Sequence, residues 1–347
     1  MNSSFASYPV SLFSKLTTGF YQYGGIPFYI LGNFGNISSL LIFSQKSWRK
    51  NVCVFYFLIG LLLDVIYINS SMLGYIFIYG FTIDLIKSSA FFCKIHRYLT
   101  FFPSVMSATI LILASIDRLL ISSQNVDTRL YSSKRLGYFS ISIATIFWLL
   151  FFIHVLIKFD IQQMGPFVSI CLFDTRDFYN IFLDYSMVTI NVVSFLMMII
   201  LSALSFKNVH RIRSIPRRQR QTGRVMHKKD FQLLRCLFAK DIIYIICTVY
   251  ISIYFLYKLD PKSRPQSNLE QEFDRFIFNL GCWILYVPSC VSFFIFITLS
   301  KAFRQSCQRL IWKMLGKDFN TSREEDPNDH GTKKDQNELV VVSTIIV

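Results

Sequence analysis

The sequence predicts an all-α membrane protein, a bundle of seven transmembrane helices followed by a short amphipathic eighth. Hydrophobic residues make up 53% of the 347-residue chain and charged residues 16%, which leaves a soluble domain of this size too little polar surface. Phe alone occurs 36 times without a repeat period, as suits helices that face lipid and carry aromatic rings near its interfaces. Seven stretches are long and nearly free of charge, and a hydrocarbon layer of roughly 30 Å takes about 20 apolar residues of helix to cross.

Residues 1–25 read as an extracellular N-terminus. Its Asn2-Ser3-Ser4 sequon marks Asn2 for glycosylation, whereas the matches at Asn36 and Asn69 fall inside predicted helices and are rejected. The first apolar stretch, Ile26 to Phe43, is long enough to span and to serve as its own insertion signal in place of a cleaved one. The others are Val52 to about Tyr79, Tyr98 to Ile116, Leu136 to Ile157, Tyr185 to Phe206, Phe231 to Tyr257 and Phe276 to Ser300. The sixth has the least certain start, because Arg235, Lys240 and Asp241 lie in its first half. Together these form a membrane domain over residues 26–300. Lys301 to Leu315 then carries Phe303, Cys307, Leu310, Ile311 and Met314 on one stripe with basic residues beside it, so residues 301–316 read as a membrane-surface helix. Cys307 is a candidate for palmitoylation. Residues 317–347 are polar and of mixed charge, a composition too poor in apolar surface to fold. That tail offers Thr321 and Ser322 as phosphorylation candidates and ends in Ile345-Ile346-Val347, which suits strand addition to a PDZ domain.

Lys and Arg are retained on the cytoplasmic side of short loops. They alternate here: Lys46, Arg49 and Lys50 follow the first helix, Arg129, Lys134 and Arg135 the third, and a dense run from Lys207 to Lys229 the fifth. The N-terminus is thus expected outside and the C-terminus inside. The net charge of +15 then belongs to loops facing anionic lipid, and nucleic-acid binding is not expected.

The motifs on these helices resemble those of the rhodopsin-like (class A) G-protein-coupled receptors, with the look of the invertebrate orphan or neuropeptide type. Gly32-Asn33-Phe34-Gly35-Asn36 is similar to the family's Gly-Asn signature, Leu61-Leu62-Leu63-Asp64 to its buried Asp, Asp117-Arg118-Leu119 to its Asp-Arg-Tyr triplet, and Trp148 to the single Trp of helix four. Cys93 matches the cysteine that opens helix three. Cys171, in the long loop after helix four, would be its disulfide partner in the oxidising exterior, the alternative being two free thiols. The resemblance implies a plasma-membrane receptor that passes a ligand signal to a heterotrimeric G protein and arrestin. Arg118 would be held by Asp117 and by Asp230 at the base of helix six, and released on activation. It also implies a polar cluster of Asn36, Asp64, Ser107 and Ser292 that holds a structural sodium ion, or else a neutral Asp64 in a hydrogen-bonded cluster without one.

Several positions depart from the family pattern. Helix six lacks the Cys-Trp-x-Pro toggle, helix five its Pro, and helix seven has Ser292-Phe293-Phe294-Ile295-Phe296 where the family has Asn-Pro-x-x-Tyr; Pro103 and Pro288 are left to supply bends. Lys240 and Asp241 lie deep in helix six, where charge is costly, and read as structural or as an ion pathway. The second reading supports a transporter or channel as the alternative function, although no repeats are apparent. The five histidines are too scattered for a metal cluster, and no nucleophile motif or phosphate loop suggests an enzyme. Thr100 stands where amine receptors carry an Asp, and helix seven has no Lys for a retinal Schiff base. Tyr75, Tyr79, Phe101, Tyr185 and Tyr286 near the bundle mouth, with Asp174 and Asp177 above, suit a short basic or amidated peptide; the alternative is an ordinary solvated acidic loop. A chemosensory receptor of the same fold is the rival to a peptide receptor.

Overall fold

A computed structural model describes residues 12–123, 127–128, 131–163, 169–173, 178–214, 228–259 and 267–315. Its long helices are α1 (Leu12–Phe43), α2 (Val52–Gly80), α3 (Ala90–Ile121), α4 (Lys134–Lys158), α5 (Tyr179–Ser214) and α6 (Lys228–Leu259). The seventh, α7, is a pair, Asn268–Cys290 and Ser292–Leu299, bent by 41°. The first six are each long and apolar enough to cross a membrane, and the bent pair makes the seventh span. The chain divides into two compact units, Met1–Gln305 and Ser306–Val347. The last described helix, α8, is Lys301–Met314.

Local chemistry sets the helix ends. Asn51, Ser89 and Ser133 accept from the backbone N–H of Cys53, Phe92 and Leu136 and so cap α2, α3 and α4. Ser267 and Glu270 form a reciprocal capping box at the start of α7. α1 is already helical at Leu12, well before the apolar stretch that begins at Ile26. At Phe20–Gly25 the helix takes a π turn, and this wider turn precedes Pro27, which has no N–H to give.

The two prolines expected to bend helices behave differently. Pro103 lies inside an uninterrupted α3, and the Leu99 carbonyl that it deprives of an N–H accepts from Ser70 Oγ of α2 at 3.2 Å. Pro288 lies in the short stretch Val287–Cys290 that ends at the α7 bend.

Among the bundle's inner residues, α3 is central and packs on α2, α4, α5 and α6. Polarity is inverted relative to a water-soluble protein. Asn36, Asp64, Asp117, Arg118, Lys240 and Asp241 are buried, while Ile143, Ile146, Phe147 and Leu150 of α4 and Ile199 and Ile200 of α5 are exposed, as a lipid-facing surface requires. Among the described residues one element is not helical: Phe159–Gln163 (β1) and Ser169–Phe173 (β2) form an antiparallel hairpin after α4, with Ile161 opposite Cys171. Cys171 is disulfide-bonded to Cys93, which ties this hairpin to the start of α3.

Candidate functional site

Three polar or aromatic groupings lie at successive depths in the bundle. At one end, Arg118 is fully buried. Its Nε and Nη2 donate to Asp117 Oδ2 at 3.1 and 2.6 Å, and its Nη1 donates to Asp230 Oδ1 of α6 at 3.3 Å. Both carboxylates are themselves held. Ser132 Oγ donates to Asp117 Oδ1 at 2.5 Å, and Asn51 Nδ2 donates to Asp230 Oδ1. A guanidinium shared between its own helix and α6 is an ionic clasp on α6, made of charge-assisted bonds shielded from water. Just beyond it, Gln232 Oε1 of α6 accepts from Ser300 Oγ and the Ala302 N–H, both at 3.0 Å.

The second grouping is centred on Asp64 of α2, which is 2% exposed. Ser107 of α3 and Ser289 of α7 donate to its Oδ1 at 3.1 and 3.0 Å, and Ser292 of α7 donates to Oδ2 at 3.4 Å. Lys240 Nζ of α6 lies 3.5 Å from Oδ2. Ser107 and Ser292 thus meet Asp64 as expected, but Asn36 makes no hydrogen bond to it: its Nδ2 donates to the Ser289 carbonyl at 2.9 Å. The reason lies in the α1–α7 approach. A Cβ on Gly32 would come 2.8 Å from Cys290 Sγ, and one on Gly35 2.8 Å from Phe293 Cβ, so only glycines let α1 come close enough for Asn36 to reach the α7 backbone. One residue after Lys240, Asp241 accepts from Ser115 of α3 at 3.1 Å and Ser202 of α5 at 3.0 Å, both at Oδ2, and its buried Oδ1 has no hydrogen-bond partner.

The third grouping lies at the disulfide end. Tyr21, Tyr75 and Tyr79 stack on one another, and Tyr286 shares a 2.8 Å hydrogen bond with Ser71 and packs on Tyr67. Thr100 donates to Ser71 Oγ and to the His96 carbonyl. Phe101 turns the other way, onto Phe152 and Phe159. Tyr185 does not join this grouping. It is 55% exposed, because the inward face of α5 at this level is made by Leu183, Met187 and Val188, and a residue at 185 is out of phase with them at 3.6 residues per turn. Arg97, not singled out in the sequence, lies here. It donates to the Tyr75 hydroxyl at 3.0 Å and the Cys171 carbonyl at 3.2 Å and covers the Phe159 ring, with no carboxylate partner among the described residues. Asp174, Asp177 and Asn2 lie outside the described residues, as do Thr321, Ser322 and the C-terminus.

Sequence reasoning also missed Asn51, Ser132, Ser289 and the reach of Lys240. For Ser289 a signal existed, since it stands three residues before Ser292 and so shares its face of the helix. For Asn51 the signal was its place just before an apolar run, which marks a cap but not a second bond to Asp230.

Seven spans, a disulfide between the start of the third and the loop after the fourth, and a buried Asp-Arg pair at the far end define a helical membrane receptor bundle. The 7 transmembrane receptor (rhodopsin family) model matches residues 35–296, and the chain belongs to that family, a family of receptors rather than enzymes. No curated protein matches the chain.

Proposed function

We propose that this receptor lies in the plasma membrane with its N-terminus outside, binds an extracellular ligand at the disulfide end, and activates a cytoplasmic heterotrimeric G protein at the Arg118 end. The observation that carries the reading is the clasp of Arg118 between Asp117 and Asp230, an arrangement with an alternative state in which α6 moves away and the guanidinium faces a partner. Lys46, Arg49, Lys50, Lys134 and Arg135 next to that end support its cytoplasmic placement. Arrestin and a PDZ protein are further partners on the same side, suggested by the tail sequence.

The ligand we propose is a small peptide, with the charge preference revised. On the outer loops Asp84 pairs with Lys87, Asp160 with Lys94, Glu272 with Arg275 and Asp274 with Lys258, so these acids already have cations. Arg97, beside the stacked tyrosines, has no carboxylate partner among the described residues. That favours a peptide presenting an acidic group over a basic one. The test is G-protein activation in cells, constitutive and with peptide pools matched as free acids and amides, comparing wild type with Arg118→Ala at equal surface expression. A signal that vanishes with Arg118 supports the reading; a signal of equal size in the variant would sink it.

A further inference from the structure

Asp64 is a buried carboxylate of the bundle's middle, and four donors converge on it: three serine hydroxyls and the Lys240 ammonium. A sodium ion at this carboxylate would need its oxygens and those of the serines turned toward the metal. That space is already taken: the Lys240 ammonium, itself only 6% exposed, stands 3.5 Å from Oδ2. A metal cation there would meet a second positive charge in a buried, poorly screened setting. The residues present therefore do not fit a sodium ion.

We infer that Lys240 is the resident counter-cation of Asp64, tethered on α6, so that the receptor is insensitive to sodium at this site and the pair latches α6 to α2. The latch part rests on the proposed signalling role of α6; the cation part does not. The two charges neutralise each other where a lone one would be costly. They also lie on different helices, so the charge that neutralises α2 is carried on the helix proposed to move. The neighbouring residue strengthens the hold. Asp241 binds Ser115 of α3 and Ser202 of α5, so α6 is gripped from three helices by consecutive side chains. Helix six has neither the Trp nor the Pro of the family's hinge.

The test measures thermal unfolding of the purified full-length receptor in sodium chloride and in N-methylglucamine chloride at equal ionic strength. Wild type is expected to unfold at the same temperature in both salts. Lys240→Met leaves Asp64 bare, and is expected to unfold at a lower temperature in N-methylglucamine and to regain part of the loss in sodium. Asp64→Asn combined with Lys240→Met removes both charges and should recover most of the wild-type midpoint, with no salt difference. A wild-type receptor stabilised by sodium, with the effect abolished in Asp64→Asn, would overturn the assignment; so would a double variant no more stable than Lys240→Met. The latch is read separately as basal G-protein activity, expected to rise in the double variant at matched surface expression and overturned if it stays at the wild-type level. If no variant or wild type signals at all, the signalling role and the latch fall while the salt comparison still decides the counter-cation.

Discussion

Replacing Asp230 with Ala tests how firmly the clasp restrains α6. The residue is 14% exposed on its side chain and Arg118 is fully buried, so their contact is poorly screened, and truncating one partner of a fully buried pair costs about 3–5 kcal/mol. Two features reduce that figure here. The Nη1–Oδ1 distance is 3.3 Å, at the long end for a charged hydrogen bond, and Arg118 keeps both of its bonds to Asp117 when Asp230 is lost. A destabilisation of the clasped state by about 1.4 kcal/mol is a reasonable expectation, equivalent to a tenfold shift in population. If the open arrangement is populated at about 0.1–10% at rest, a tenfold shift raises it to about 1–50%, and basal signalling should rise roughly five- to tenfold. The assay is nucleotide exchange on added G protein in membranes with equal receptor content. Asn51→Ala, which removes a donor from Asp230 as well as the α2 cap, should move activity in the same direction by less. Basal activity at or below wild type in Asp230→Ala, with normal surface delivery, would refute the reasoning.

Loss of the Cys93–Cys171 disulfide should remove about 4 kcal/mol on the chain-entropy scale for a sequence separation of 78 and lower surface expression, with each Cys→Ser variant and the double equally affected; antibody staining of intact cells measures it. Gly35→Ala should destabilise the bundle by about 1–3 kcal/mol, because its new methyl meets Phe293 Cβ at 2.8 Å, whereas Gly60→Ala, whose nearest neighbour is Ile110 at 3.5 Å, should be tolerated; thermal midpoints in detergent compare the two. Tyr286→Phe, which deletes the bond to Ser71, should lower the thermal midpoint, and Tyr185→Phe, on the exposed face, should leave it unchanged. Burial raises the Cys307 thiol above the ordinary cysteine range, so its thiolate is scarcer at neutral pH than that of a free thiol; alkylation should be slow at pH 7 and accelerate as pH rises through the raised value.

The seven spans were legible because each is long and apolar enough to declare itself without tertiary information. The Asp117-Arg118 pair was legible because its partners are adjacent in the chain. What escaped was set by geometry between distant segments. Residues 12–25 carry too little apolar periodicity to reveal that they prolong α1 through a π turn at Phe20–Gly25. The hairpin after α4 is a pairing of Phe159–Gln163 with Ser169–Phe173 that depends on Cys171 being pinned to α3. Lys240 looked like an isolated liability because its partner lies far back in the sequence, on α2. Asn36 looked like a direct partner of Asp64, and only the close α1–α7 approach shows that it grips the neighbouring backbone instead.

The pairing of Asp64 with Lys240 also bears on how the chain is made. α2 enters the bilayer early, with a carboxylate whose burial at the helix centre costs about 2.5–3.5 kcal/mol if ionised, and α6 arrives later carrying the ammonium. Between these events the nascent bundle holds an acid without its ammonium partner, and the ion pair forms only when the sixth helix docks. A chain truncated after α5 should therefore be retained and degraded by quality control, and co-expression of the missing α6–α7 segment as a separate polypeptide should rescue it only when Lys240 is present.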